Sequence, residues 1–275
     1  MESIRFKSCS KLSGMIYGIS TLSIIPLRKE PSEQSEMVSQ LLFGESYRVL
    51  KRKNQWLKIL TQFDSYTGWI DQKLYSEISE STYKHFINNP PPVLASLIMS
   101  IECKGMHPLH ILAGSNLPNY NSENRSLEIE GKIFQTRWVH GNITPKGTDH
   151  LPGIAALFLN TPYLWGGRSI FGCDCSGFVQ LVYKILGLSL ERDAIKQAEQ
   201  GFVIESLGKS RQGDLAFFVN KESRICHVGL ILSPAEIIHC SGYVRKDKID
   251  GKGIYNSETR EYTHRLLMIK RPEIK

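Results

Sequence analysis

Two cysteines flank an aspartate in Gly172-Cys173-Asp174-Cys175-Ser176-Gly177-Phe178, and the chain then runs into an apolar segment. Metal ligation, a disulfide, and a nucleophile mounted at a helix start are the three chemistries open to such a stretch. The apolar segment reads as a helix: Phe178, Leu181, Val182, Ile185 and Leu186 recur at i, i+3, i+4, i+7 and i+8. Gly187 stands where a C-cap glycine belongs, and Asp174 is in position to cap the start. Cys175 then falls in the first turn, where unpaired N–H groups and the positive end of the helix dipole favour thiolate. Such placement, with a cationic neighbour, can lower the pKa below the ordinary cysteine value of about 8.5. A lone cysteine is more often a small buried hydrophobe, so the nucleophile needs a base beside it.

The base is sought in two later strands, His227–Leu232 and Ile237–Cys240, joined by the turn Ser233-Pro234-Ala235-Glu236. A hairpin centred near residue 233 sets His227 opposite His239, and directly opposed residues share a face. One imidazole can take the thiol proton while the other fixes its tautomer. The same atoms offer a second use, because Cys173, Cys175, Cys226, His227, His239 and Cys240 are all zinc-type ligands. Neighbouring strand residues point to opposite faces, however, which turns Cys226 and Cys240 away from the histidines. The C-x-C spacing is also shorter than structural zinc sites use. The expectation is a site without metal or organic cofactor.

The elements that must position these residues fall into two regions. From Tyr17 to Ile78 short strands alternate with turns, at Tyr47–Leu50, Trp56–Leu60 and Tyr66–Ile70, which suggests a small barrel over 17–78. Asn88-Asn89-Pro90-Pro91-Pro92 reads as a linker. Strand-like runs beyond it, and a faint echo of LLFGESYRVL in LHILAGSNLPNY, suggest a second barrel over 92–145. Past Leu151 one helix is followed by a series of strands, an α+β layout.

The chain has 275 residues and a net charge of +7, from 34 Lys and Arg against 27 Asp and Glu. That charge suits an anionic partner without selecting one. Its densest basic clusters, Lys51-Arg52-Lys53 and Arg245-Lys246-Asp247-Lys248, read as solvated loops. No apolar run reaches signal-peptide or membrane-span length, and six irregularly spaced cysteines make no disulfide framework. The expected setting is therefore cytoplasmic, or periplasmic if a leader has been removed, without a membrane or nucleic-acid partner, and the chain is expected to act as a monomer.

Taken together and in order, Pro162-Tyr163-Leu164-Trp165-Gly166-Gly167, Asp174-Cys175-Ser176-Gly177-Phe178-Val179, Gln212-Gly213-Asp214-Leu215, His227-Val228-Gly229 and Ile238-His239 resemble the NlpC/p60 family of papain-like cysteine peptidases, over about 150–270. GESYRVL, NQWLKIL and SYTGWI resemble bacterial SH3-like barrels. The combination is similar to the γ-D-glutamyl-diamino acid endopeptidases of that family, which act in murein peptide recycling. The resemblance implies cleavage of peptides such as L-Ala-γ-D-Glu-diaminopimelate between D-Glu and the diamino acid, with a free amino-terminal L-Ala required. It implies Cys175 as nucleophile, His227 as base and His239 as the orienting residue. It implies Tyr163 near the scissile carbonyl, Asp174 and Ser176 as residues holding the dipeptide, and Asp193 as the partner of the free amine. Tyr66 and Glu45 of the first barrel are the candidates to close the amine end. Two other functions share this fold: a catalytically silent wall-peptide binder, and an acyltransferase or amidase.

Overall fold

The structure, a computed structural model, describes residues 15–136 and 148–273. Seven short strands come first: β1 (Ile16–Ile19), β2 (Ile24–Arg28), β3 (Met37–Leu42), β4 (Ser46–Lys53), β5 (Trp56–Thr61), β6 (Thr67–Asp71) and β7 (Glu77–Ile78). They pair antiparallel in the order β3-β2-β6-β5-β4-β1-β7. Ile25, Leu27, Leu41, Leu57, Ile59 and Ile70 form the core of this sheet, as the period of two in strand side chains requires. Lys51-Arg52-Lys53 is strand β4, exposed, rather than a loop.

Helix α1 (Glu80–Asn88) begins at Ser79, whose Oγ accepts the Thr82 N–H at 3.1 Å. It stops short of the three prolines, which cannot continue it. Then β8 (Ile98–Cys103), β9 (Leu109–Leu112), β10 (Ser126–Ile129) and β11 (Lys132–Thr136) form a four-stranded sheet in the order β10-β11-β8-β9. Met99, Ile101, Ile111, Leu127 and Phe134 of this sheet share one core with Tyr17, Ile19 and Phe86. The sheet thus leans on β1 and α1. Residues 137–145 of the expected second barrel lie outside the described residues.

The remainder opens with α2 (Leu151–Ala156), a hairpin of β12 (Arg168–Ser169) and β13 (Gly172–Cys173), α3 (Cys175–Ile185) and α4 (Ala194–Gln197). Strands β14 (Phe202–Ile204), β15 (Leu215–Val219), β16 (Ile225–Ser233), β17 (Glu236–Ser241), β18 (Tyr243–Ile249), β19 (Gly253–Asn256) and β20 (Glu261–Arg271) follow. β15 to β20 close into a barrel, because β19 pairs back onto β20. Ala216, Phe218, Ile231, Ile237, Ile254 and Ile269 fill its interior. Leu215, Phe217, Val228, Leu230, Ile238 and Cys240 face outward and pack on α3. Among the described residues no helix is long and apolar enough to cross a membrane.

Helix α3 ends as its sequence predicts. Leu188 N–H donates to Tyr183 O at 2.9 Å and Gly187 N–H to Lys184 O at 3.0 Å, with Gly187 at φ 79°, the paired bonds of a Schellman cap. The spacing predicts one apolar face, yet every residue of α3 is buried, Gln180 and Lys184 included. The reason is the first sheet, which covers the other side. Lys184 Nζ meets Glu45 there and also donates to Gly114 O at 2.7 Å. Arg168 closes on the same carboxylate and donates to Gln40 O at 2.8 Å.

Glu45 is therefore not a ligand of the amine end. It is buried, both oxygens are taken by Arg168 and Lys184, and one also accepts the Leu42 N–H at 2.8 Å. Burial alone would raise its pKa, but the two cations bring it down to about 2. Burial draws Lys184 down to about 8 against the pull of Glu45. Glu45→Gln leaves two buried cations without their counter-charge and is expected to cost about 3–5 kcal/mol, read as a lowered midpoint in urea denaturation. A midpoint unchanged from wild type contradicts this role.

Candidate active site

The start of α3 is held from three sides. Asp174 accepts the Gly177 N–H at 2.7 Å on one oxygen and the Gly166 N–H at 2.9 Å on the other. Arg192, wholly buried, donates to both Asp174 oxygens at 2.9 and 2.6 Å, to Ser176 Oγ at 3.0 Å, and to Ser39 Oγ of β3 at 3.1 Å. The side chains of Asp174 and Ser176, expected to hold substrate, are thus committed to Arg192 and the helix start. What they position is Cys175. Arg192 is absent from the sequence-derived site; its one signal is adjacency to Asp193, because nothing local shows that a guanidinium will be buried. Gly166 lets the Trp-Gly-Gly turn reach the first sheet: its φ is 72°, and a Cβ there would collide with the Met37 carbonyl oxygen.

Cys175 is buried, and burial, followed by the Asp174 carboxylate, pushes its thiol up to about 12. Backbone N–H groups of Val228 and Ser176 act in the opposite direction. The lowered pKa expected of a helix start does not appear, because desolvation outweighs the dipole. No side-chain hydrogen bond joins the thiol to His227 in this state, although the sulfur lies beside Val228, the next residue along β16.

His227 and His239 do come together, by a different register. Gly229, not His227, pairs with His239: the hairpin turns between Ser233 and Glu236 rather than about residue 233, and the irregularity between Ile231 and Ser233 sets the final offset at two residues. The displacement is an even number of residues, so both imidazoles still share a face, with Ile231 and Ile237 inside the barrel. His227 Nε2 lies 2.9 Å from His239 Nδ1, and His239 Nε2 lies 3.0 Å from Asp247 Oδ2. Arg245 donates to both Asp247 oxygens, at 2.8 and 3.0 Å. Burial would raise the Asp247 pKa, but the bonds from His239 and Arg245 hold it below the ordinary carboxylate value. An ionised Asp247 only accepts, so His239 carries its proton on Nε2 and accepts on Nδ1. His227 then donates from Nε2, which leaves its Nδ1 lone pair free to act as a base. Arg245-Lys246-Asp247-Lys248, read from sequence as a solvated loop, is part of β18 and supplies this relay.

A third imidazole, unforeseen from sequence, belongs to the group. His264 of β20 stacks on His227 with ring centroids 4.2 Å apart and planes at 27°, and its ring lies 5.7 Å from that of His239. Ligand atoms of the three histidines lie within 4.8 Å of one another. The arrangement does not suit a metal, since imidazole lone pairs lie in the ring plane and two stacked rings aim past each other. The His227–His239 contact is already a hydrogen bond.

Tyr163 is partly exposed, and burial, with Cys175 and Asp174 nearby, raises its pKa, which keeps the phenol a donor. Asp193 is exposed and occupies the N-cap position of α4, yet makes no capping bond. Its carboxylate instead accepts from the Tyr66 hydroxyl of the first sheet at 3.2 Å. Trp165, beside Tyr163 in sequence, donates to Glu36 of the first-sheet region at 2.7 Å. Cys226 is exposed, while Cys173 and Cys240 are buried with their sulfurs 3.7 Å apart.

Residues 160–267 match the model of the NlpC/P60 family, and residues 27–73 match that of the bacterial dipeptidyl-peptidase Sh3 domain. Gamma-D-glutamyl-L-lysine dipeptidyl-peptidase of Bacillus subtilis is 31% identical over 216 residues, which cover 73% of this chain and 71% of the relative. Dipeptidyl-peptidase 6 of Lysinibacillus sphaericus is 26% identical over 239 residues, 78% of this chain and 84% of the relative. The crystal structure of an NlpC/P60 family protein from Bacillus cereus superposes with a TM-score of 0.77 at 20% identity, over 93% of this chain and 99% of that one. It shares the fold.

His227 is held well below the ordinary imidazole value by burial and by His264 and His239; burial brings His264 down to about 4. The unfolded chain takes up protons near pH 6.5 that the folded chain refuses. This contribution to stability is therefore complete above 6.5 and is lost as pH falls toward the folded values. The melting temperature is expected to fall between about pH 7 and about pH 5.5, and His264→Phe should narrow that fall in scanning fluorimetry. An equal fall in both proteins contradicts the assignment.

Proposed function

This chain belongs to the NlpC/P60 family of cysteine peptidases, and on that premise we propose that it hydrolyses the γ-D-Glu to diamino acid bond of free murein peptides carrying an unblocked amino-terminal L-Ala, releasing L-Ala-D-Glu. The observation that carries this reading is Asp193. A carboxylate at a helix cap position that leaves the cap unmade, stands exposed and meets Tyr66 from another domain is suited to an ammonium group. Its neighbour Arg192 fixes the residues on either side of Cys175. Amine site and nucleophile thus hang on one short segment. The names of the two relatives are in keeping with this substrate class.

In the proposed reaction the Cys175 proton passes to His227 Nδ1 and the sulfur attacks the γ-carbonyl of D-Glu. The oxyanion takes the Cys175 backbone N–H and the Tyr163 hydroxyl. Collapse of the tetrahedral intermediate expels the diamino acid amine, which takes the proton from His227. Water, deprotonated by His227, then releases L-Ala-D-Glu from the thioester. A free L-Ala amine exists only on peptides already detached from the glycan strand, which fits a cytoplasmic setting.

The test is incubation with L-Ala-γ-D-Glu-diamino acid peptides, diaminopimelate and lysine forms, free and N-acetylated, with products followed by mass. Release of L-Ala-D-Glu from the free peptides alone supports the reading; cleavage of neither form overturns it. Cys175→Ala should abolish turnover with the fold intact. Asp193→Ala is expected to lower kcat/KM on free peptides about tenfold to a hundredfold, as loss of a charge-assisted bond does. A kcat/KM on free peptides equal to wild type contradicts the amine pocket.

A further inference from the structure

We infer that His264 is a positioning residue for the base: its neutral ring, stacked on His227, holds that imidazole in place and stabilises the imidazolium formed when Cys175 gives up its proton. This rests on the cysteine-peptidase reading of Cys175 and His227.

His227 is walled by three rings: Phe218 at 5.8 Å, His239 edge-on at 5.0 Å and His264 stacked at 4.2 Å. His239 grips one edge of His227 through the hydrogen bond, which sets the tautomer but leaves the ring face uncovered. His264 covers that face. When the S–H bond of Cys175 breaks and an N–H bond forms at His227 Nδ1, a cation appears in a buried place. The groups around it offer little counter-charge beyond the new thiolate. His239 brings no negative charge, Asp247 is reached only through His239, and Arg245 already engages both its oxygens. Asp174 is neutralised by Arg192, and Tyr163 is a phenol. A charged His264 would disfavour that cation, as its charge helps hold His227 down, but burial brings His264 to about 4, so at neutral pH it presents an uncharged aromatic face that supplies the remaining stabilisation.

The fold places His264 there by a device. Phe217 pairs with Met268, but Phe218 pairs with Leu266, so Leu267 is an extra residue in β20. That bulge reverses which side chains face inward. Upstream of it, Leu266 and His264 share the inner face with Phe218, and Phe218 lies directly opposite His227. An uninterrupted ladder would turn His264 outward, away from the base. Bulges near active sites commonly re-aim a side chain in this way.

The test follows carbamidomethylation of Cys175 by iodoacetamide against pH, located by peptide mass, in the full chain and in His264→Phe and His264→Leu. It needs no peptide substrate. Wild type and His264→Phe should give superimposable profiles. His264→Leu, which fills the space without a π face, should react about threefold to thirtyfold more slowly at neutral pH, the rate equivalent of one cation–π contact. On free peptide its kcat should fall with KM unchanged. A His264→Leu profile identical to wild type overturns the inference, as does a His264→Phe profile slowed as far as that of His264→Leu. Should His264→Leu fail to fold by circular dichroism, His264→Met takes its place under the same criteria. If alkylation follows the expected order while wild type cleaves no peptide, the substrate assignment fails and the role of His264 stands.

Discussion

One buried carboxylate sets the relation between the two halves of this molecule. Glu45 projects from the first sheet and is met by Arg168 from the β12–β13 hairpin and Lys184 from α3, the two elements that lead into and carry Cys175. Moving three charges out of water is costly, and the geometry must be close to ideal for their attraction to offset it. Here it is supported by Gln40, Gly114 and the Leu42 N–H. The roll of α3 against the first sheet is therefore tightly specified. Weaker polar links repeat the same docking closer to the site, from Arg192 to Ser39, Gln180 to Asp64, and Trp165 to Glu36.

Docking of that kind has a consequence for chemistry. Burial pushes the Cys175 thiol up and draws His227 down, so in the proposed mechanism nucleophile and base rest uncharged rather than as an ion pair. Reaction then depends on groups prepared for charge that has yet to develop. The chain from Asp247 through His239 prepares the lone pair, the helix start prepares the N–H donors, and the third imidazole faces the forming cation.

Much of this is legible in the sequence, and what is not has physical causes. Helix α3, its Asp174 cap and its Gly187 stop follow from local rules, since they need only spacing and side-chain type. The shared face of His227 and His239 rests on strand alternation together with the irregularity before Ser233, which offsets the odd shift that the turn alone would impose. Glu45, Arg192, Asp247 and His264 escape local reading. Glu45, Arg192 and His264 acquire their roles from partners distant along the chain, Asp247 from the pairing of neighbouring strands β17 and β18, and a bulge decides on which face His264 appears. Thiol acidity departs from the sequence expectation for a related reason: the dipole is a property of the helix, whereas desolvation is a property of what covers it. Asp193 lies between, because a vacant cap can be recognised only once the helix behind it is seen.

In the proposed mechanism Cys175 carries the acyl group of the cleaved peptide, with the amine end held against Asp193 and Tyr66. Acid-quenching the enzyme during turnover of L-Ala-γ-D-Glu-diamino acid and mapping its peptides by mass tests this directly. An added L-Ala-γ-D-Glu acyl group is expected on Cys175 and on none of Cys173, Cys226 or Cys240. Product release with the acyl group on another residue, or with no covalent intermediate trapped on Cys175 at any quench time, would contradict it.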